Sequence, residues 1–149
     1  MYRRLLVAVD GGDRAALAAE HAIGLAAETG AELECVYVVD VRPVYSRYGL
    51  AALPTEDEVE HQRQRGQAVV EDVEEQAAAA GVVASSSVVR GTPHLKITEH
   101  AATVEADAIV IGGPRERTFT RMLGVSTTDR VVRNAGRTVI IVRQPENDG

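Results

Sequence analysis

The chain opens on a short polar start and then a continuous apolar run, Leu5-Leu6-Val7-Ala8-Val9, which stops at Asp10-Gly11-Gly12. An uninterrupted apolar run ended by a turn predicts a strand buried on both faces, as in a parallel sheet. Helical periodicity follows. Ala15, Ala18, Ala19, Ala22, Ile23, Ala26 and Ala27 recur at i, i+3, i+4, i+7, i+8, i+11 and i+12, a stripe of small side chains suited to lie close against a sheet. Asp13 is placed to cap this helix and Gly30 to stop it. A second apolar strand is expected over residues 32–39, then an irregular stretch over 40–55 that holds Pro43, Gly49 and Pro54.

Thr55 and Glu58 have the spacing of a capping box, so a polar helix is expected from there through the alanines at 77–80 to Gly81. The third strand, at 82–90, carries Ser85-Ser86-Ser87 and is polar enough for a sheet edge. Thr92 and Pro93 suit the N-cap and first turn of a third helix. A short buried strand at 107–111 leads into Gly112-Gly113-Pro114 and a loop rich in Arg and Thr. A helix over 126–134 ends at Gly136, and Thr138-Val139-Ile140-Ile141-Val142 is the last strand. The order β-α-β-α-β-α-β-α-β predicts one α/β domain over residues 1–144, with a polar tail at 145–149. Its architecture is a doubly wound, five-stranded, mostly parallel sheet with helices on both faces. Ligands on such sheets bind beyond the carboxyl ends of the strands where the winding reverses. The loops to inspect are therefore 10–13, 38–41 and 112–126.

Composition narrows the chemistry. The 149 residues are 45% hydrophobic and 26% charged, the proportions of one ordinary globular domain. A formal charge of −6 argues against coating nucleic acid or an anionic membrane. The five apolar residues after Arg3-Arg4 are too few for export or for spanning a bilayer. Cys35 is the single cysteine, set in an apolar strand where packing is its expected role; no intrachain disulfide can form, and a reducing cytoplasm is the natural setting. Fifteen of the sixteen basic residues are Arg and the only lysine is Lys96, whose surroundings fit a solvated helix face. No P-loop run G-x-x-x-x-G-K-[ST] is present, and Arg cannot replace Lys as a base or amine nucleophile. His21, His61, His94 and His100 lack metal-ligand spacing, and His94 and His100 should point to different faces of one helix. Ser126 has no nucleophile elbow around it and suits an N-cap. Tyr45 and Tyr48 either cover a pocket or shield a core edge. No catalytic residue and no metal site is expected.

Five segments carry a family likeness: Leu6-Val7-Ala8-Val9-Asp10-Gly11, Tyr37-Val38-Val39-Asp40, Gly91-x-Pro93, Ala106-Asp107-Ala108-Ile109-Val110-Ile111-Gly112, and Asp129-Arg130-Val131-Val132-Arg133-Asn134-Ala135 before the terminal strand. In this order and spacing the whole chain resembles a universal stress protein. The resemblance implies a cytoplasmic, homodimeric stress-response or regulatory module, not an enzyme, that takes ATP or AMP, with Mg for ATP. The cofactor-binding residues it implies are Asp10, Val38, Ile111, Gly112, Gly113, Arg115, Val125, Ser126 and Thr127. Asp10 would stand near the ribose or a bound metal, although Gly11-Gly12 equally makes it a turn residue. Val38 would pack against adenine.

ATP-binding members carry G-x2-G-x9-G-[ST] after the fourth strand. Aligned on Gly112, this chain keeps only the first glycine and Ser126, with Arg115 and Val125 at the other glycine positions and Gly124 one residue early. Glycine at such a site permits close approach and positive φ. Two readings stay open: Arg115, Arg117 and Arg121 grip phosphate oxygens in place of backbone amides, or nucleotide binding is lost and the chain is an interaction module for a regulatory protein partner. An ATP-hydrolysing or nucleotidyl-transferring enzyme is a third class, without a recognisable general base. The resemblance also implies dimerisation through Thr138–Val142, against which Arg143 and the polar tail would act as a block.

Overall fold

The computed structural model describes residues 1–45, 48–113 and 126–145. Along the chain run β1 (Arg4–Val9), α1 (Asp13–Thr29), β2 (Glu32–Asp40), β3 (Val44–Tyr45), β4 (Ala51–Ala52), α2 (Glu56–Ala79), β5 (Ala84–Gly91), α3 (Pro93–Thr103), β6 (Ala108–Gly112), α4 (Thr127–Asn134) and β7 (Thr138–Val142). The five-stranded sheet has the order β5-β2-β1-β6-β7, and its four pairings are all parallel. The doubly wound α/β fold expected from the pattern is observed, with the serine-bearing β5 and the apolar β7 as the two edges. The short antiparallel pair β3 and β4 lies inside the stretch expected to be irregular.

Strand alternation divides the core. Leu5, Val7 and Val9 of β1, Leu33, Cys35 and Tyr37 of β2, and Ala108 and Val110 of β6 pack under the helices α1 and α2. Leu6, Ala8, Val36, Ile109 and Ile111 face the other way, toward Ile97 and Ala101 of α3 and Val131 of α4. The alanine stripe of α1 is buried as expected through Ala26, whereas Ala27 has rotated out to solvent. That drift is what a helix of 3.6 residues per turn does over three turns.

Local chemistry sets the helix ends. Asp13 does not cap α1: Gly12 is the N-cap and Asp13 stands in the first turn, because the Asp10 carboxylate accepts the Gly12 N–H at 2.8 Å and tightens the turn one residue earlier. The Thr55–Glu58 capping box is present, with Thr55 Oγ1 accepting the Glu58 N–H at 3.1 Å. Thr92 and Pro93 open α3 as expected, but the Thr92 side chain makes no capping bond. Lys96 keeps its ammonium at an exposed helix face but packs its stem inward. A methyl group on Gly91 would lie 2.8 Å from its Cγ and 2.7 Å from its Cε, so the lysine stem roofs that glycine while the ammonium reaches Glu99 at 3.4 Å.

The start of β1 is clasped from far along the chain. Asp107 Oδ2 accepts the N–H groups of Arg3 and Arg4 at 2.6 and 2.9 Å, and those two bonds hold the Asp107 carboxyl below the usual carboxylate range. Arg137 donates to the carbonyls of Ala106 and Ala101, fixing the approach to β7. Cys35 is fully buried. Burial first, then the carboxylates of Glu74 and Glu34, push its thiol up to about 12, so it is a protonated packing group at any cellular pH. Among the described residues no helix is long and apolar enough to cross a membrane.

Candidate functional site

The strand order fixes where a cleft can form. From β1 the chain crosses to β2 on one side, and β6 later pairs on the other, so the loops leaving β1 and β6 part in opposite directions at their carboxyl ends. A cleft of about 800 Å³ opens there, within the roughly 300–1,000 Å³ span of small-molecule sites.

Its walls differ in character. Ala8, Val36, Val38, Ile97 and Ile111 form an apolar slot between the sheet and α3, with Pro93 at its end. Asp10, Asp13 and Arg14 line the α1 side, Asp40, Arg42 and Gln62 the β2 and α2 side, and Gly112, Gly113, Thr127 and Thr128 the β6 and α4 side. The amino ends of α1 and α4 both reach this rim, and first-turn N–H groups have no partner within their own helix.

Partial burial pushes the Asp40 carboxyl up, but hydrogen bonds and charge from Arg42 outweigh it and hold the pKa below the usual carboxylate range. The pair is bidentate, with Arg42 Nε 2.9 Å from Asp40 Oδ1 and Nη2 2.6 Å from Oδ2. Burial raises the Tyr37 hydroxyl, Arg65 opposes that and Asp10 adds to it, so Tyr37 presents a neutral phenol. Thr128 is buried and its hydroxyl donates to the Gly112 carbonyl at 2.9 Å. Gly113 donates its N–H to the Val142 carbonyl at 2.9 Å.

Of the residues expected at a site, Asp10, Val38, Ile111, Gly112, Gly113 and Thr127 come together on this cleft. Ser126 caps α4, its Oγ accepting the Asp129 N–H at 3.2 Å, and does not line the cleft. Arg115, Val125, Arg117, Arg121 and Gly124 lie outside the described residues. Gly112 and Gly113 are not among the glycines with positive φ. Close approach is what Gly112 supplies, since a methyl group there would stand 2.9 Å from the Arg14 carbonyl oxygen. Tyr45 is 71% exposed and lines a separate hollow of about 520 Å³ that shares Asp40, Arg42 and Gln62 with the cleft. His100 Nε2 is 3.9 Å from Glu34 Oε2 on the sheet, whereas burial and then the charges of Arg130 and Arg42 lower the pKa of His94; the two do lie in different surroundings.

Arg14, Arg42, Gln62 and Thr128 are cleft residues that sequence reasoning missed. Arg14 had a signal, since it sits in the helical turn directly after the β1 loop. Gln62 had none, being one polar residue in a polar helix.

Comparison with known proteins agrees with this fold. A universal stress protein of Methanocaldococcus jannaschii is 32% identical over 152 residues, covering 99% of this chain and 86% of that protein. A universal stress protein family member from Burkholderia pseudomallei superimposes with a TM-score of 0.74 at 26% identity, over 95% of this chain and 96% of the other. A universal stress protein solved in complex with cAMP superimposes with a TM-score of 0.73 at 27% identity, over 95% and 97%. The model of the universal stress protein family matches residues 1–143, and the chain belongs to that family.

Proposed function

We propose that the protein binds an adenine nucleotide in the cleft beyond β1 and β6 and acts as a cytoplasmic, homodimeric regulatory module rather than a catalyst. The observation that carries this is the two-part lining. The apolar slot of Ala8, Val36, Val38, Ile97 and Ile111 suits a flat base, and the polar rim beside it suits a ribose and phosphate. The likeness to a protein solved with cAMP supports the same class of ligand. The site residues we assign are Asp10, Val38, Ile111, Gly112, Gly113 and Thr127, with Asp10 and Asp40 already engaged by the Gly12 N–H and Arg42 and so poorly placed to act as bases.

Thermal denaturation with ATP, AMP and cAMP, each with and without magnesium, tests the binding. Ligand at 100 times its dissociation constant stabilises by about 2.7 kcal/mol. Absence of any shift at millimolar nucleotide would overturn this reading and favour a pure interaction module. That second reading has its own observation, the exposed Val44, Tyr45, Leu50 and Leu53 around the β3–β4 pair.

For the dimer the support is β7, an edge strand whose outer side has no partner strand among the described residues. Ile140 and Val142 pack toward the α1 and α2 core, while Ile141 is 41% exposed. Ile141→Glu therefore charges the interface without entering the core. Light scattering should find a wild-type dimer and an Ile141→Glu monomer; a monomeric wild type sinks the assembly.

A further inference from the structure

Resting on the nucleotide reading above, we infer that Arg14 is the residue that recognises the phosphoryl group of the ligand. Two cations line the cleft among the described residues, and they are in opposite states. Arg42 is neutralised by its bidentate pair with Asp40. Arg14 forms no ion pair with any described Asp or Glu. Among the described residues its one side-chain hydrogen bond runs from Nη1 to the Gly113 carbonyl at 3.3 Å, which leaves the remaining guanidinium donors for a ligand.

That bond also sets direction. It holds the half-buried guanidinium at Gly113, on the β6 side of a cleft whose lining also includes Thr127 and Thr128. Two neighbouring polar groups at the same place are already committed. The Gly113 N–H goes to Val142 and the Thr128 hydroxyl to Gly112, so neither is available to an anion. A side-chain fork does what these groups cannot, and guanidinium matches the oxygens of a phosphoryl group two at a time. The occupant this end selects is a phosphorylated nucleoside over the bare nucleoside.

Calorimetric titration of adenosine and AMP into the wild type, Arg14→Gln and Arg14→Lys tests the assignment. The wild type should hold AMP more tightly than adenosine. Arg14→Gln should weaken AMP by about ten- to a hundredfold and leave adenosine within about twofold, with Arg14→Lys between. Equal loss for both ligands would make Arg14 a structural residue and overturn the inference, as would unchanged AMP binding or a wild type that does not separate the two. A wild type that binds neither ligand overturns the nucleotide reading itself, and this inference with it.

Discussion

Replacing Gly112 by valine should lower the thermal midpoint by roughly 6–12 °C, from a loss near 3 kcal/mol at the upper end of overpacking effects. A Cβ at this position would stand 2.9 Å from the Arg14 carbonyl oxygen and 3.0 Å from its carbonyl carbon. Those are backbone atoms in the first turn of α1, so no rotamer change can yield; the helix must slide away from β6 or the strand must bend. Gly113→Ala is the matched control. Its added methyl would meet the Arg143 Cγ at 3.1 Å, the middle of a flexible side chain, and should cost less than about 1 kcal/mol. Thermal scans of the two variants by circular dichroism check the contrast. Because Arg14 belongs to the displaced turn, Gly112→Val should also blunt any nucleotide-induced shift, and a variant that melts and responds like wild type would show that α1 is not seated on Gly112.

A second large effect is expected at Gly66, buried in the middle of α2 against the ring of Tyr37. Adding a side chain there opposes two terms. Removing a helical glycine gains up to about 1 kcal/mol in propensity, but a Cβ would overlap Cδ1 of Tyr37 and lie 2.8 Å from Cγ and Cε1. Tyr37 is 5% exposed and its ring has nowhere to retreat except the cleft it lines. Steric cost wins, by about 1–3 kcal/mol for Gly66→Val. Tyr37→Leu in the same chain should recover much of that loss, and urea unfolding of the two single variants and the double variant would measure the coupling. Additive losses would mean that the helix and the ring do not press on each other.

The sheet was legible because its central strands are apolar on both faces. Leu5 to Val9 and Ala108 to Ile111 have burial that leaves no other reading, and β7 was visible for the same reason even though it sits at an edge. The β3–β4 pair was not legible: two residues a side, all exposed, give no period to read. The Gly12 cap was missed because a favourable capping residue, Asp13, stood next to it while Asp10 had already closed the turn. At the cleft, residues leaving a strand were found and residues delivered by packing were not. The rule that ligands lie beyond strand ends points to the loops at 10–13, 38–41 and 112–126, and the resemblance implies Asp10, Val38 and Ile111. Arg42, Gln62 and Thr128 reach the cleft only through an ion pair, a helix face and a hydroxyl bond to Gly112. The likeness to universal stress proteins points to the arginines of the 112–126 loop rather than to Arg14 in the first turn of α1.

The clasp between Asp107 and the first residues of β1 joins groups 104 positions apart in the chain. At a synthesis rate of about 5–20 residues per second, roughly 5–20 s separate their appearance at the ribosome. During that interval β1 can pair with β2, and β2 with β5, but the side of β1 that will meet β6 stays bare. An unpaired edge of Leu5, Leu6 and Val7 is the kind that seeks other chains. An aggregation-exposed moment in the life of this protein therefore falls before β6 is made, and crowding on polysomes would be felt there.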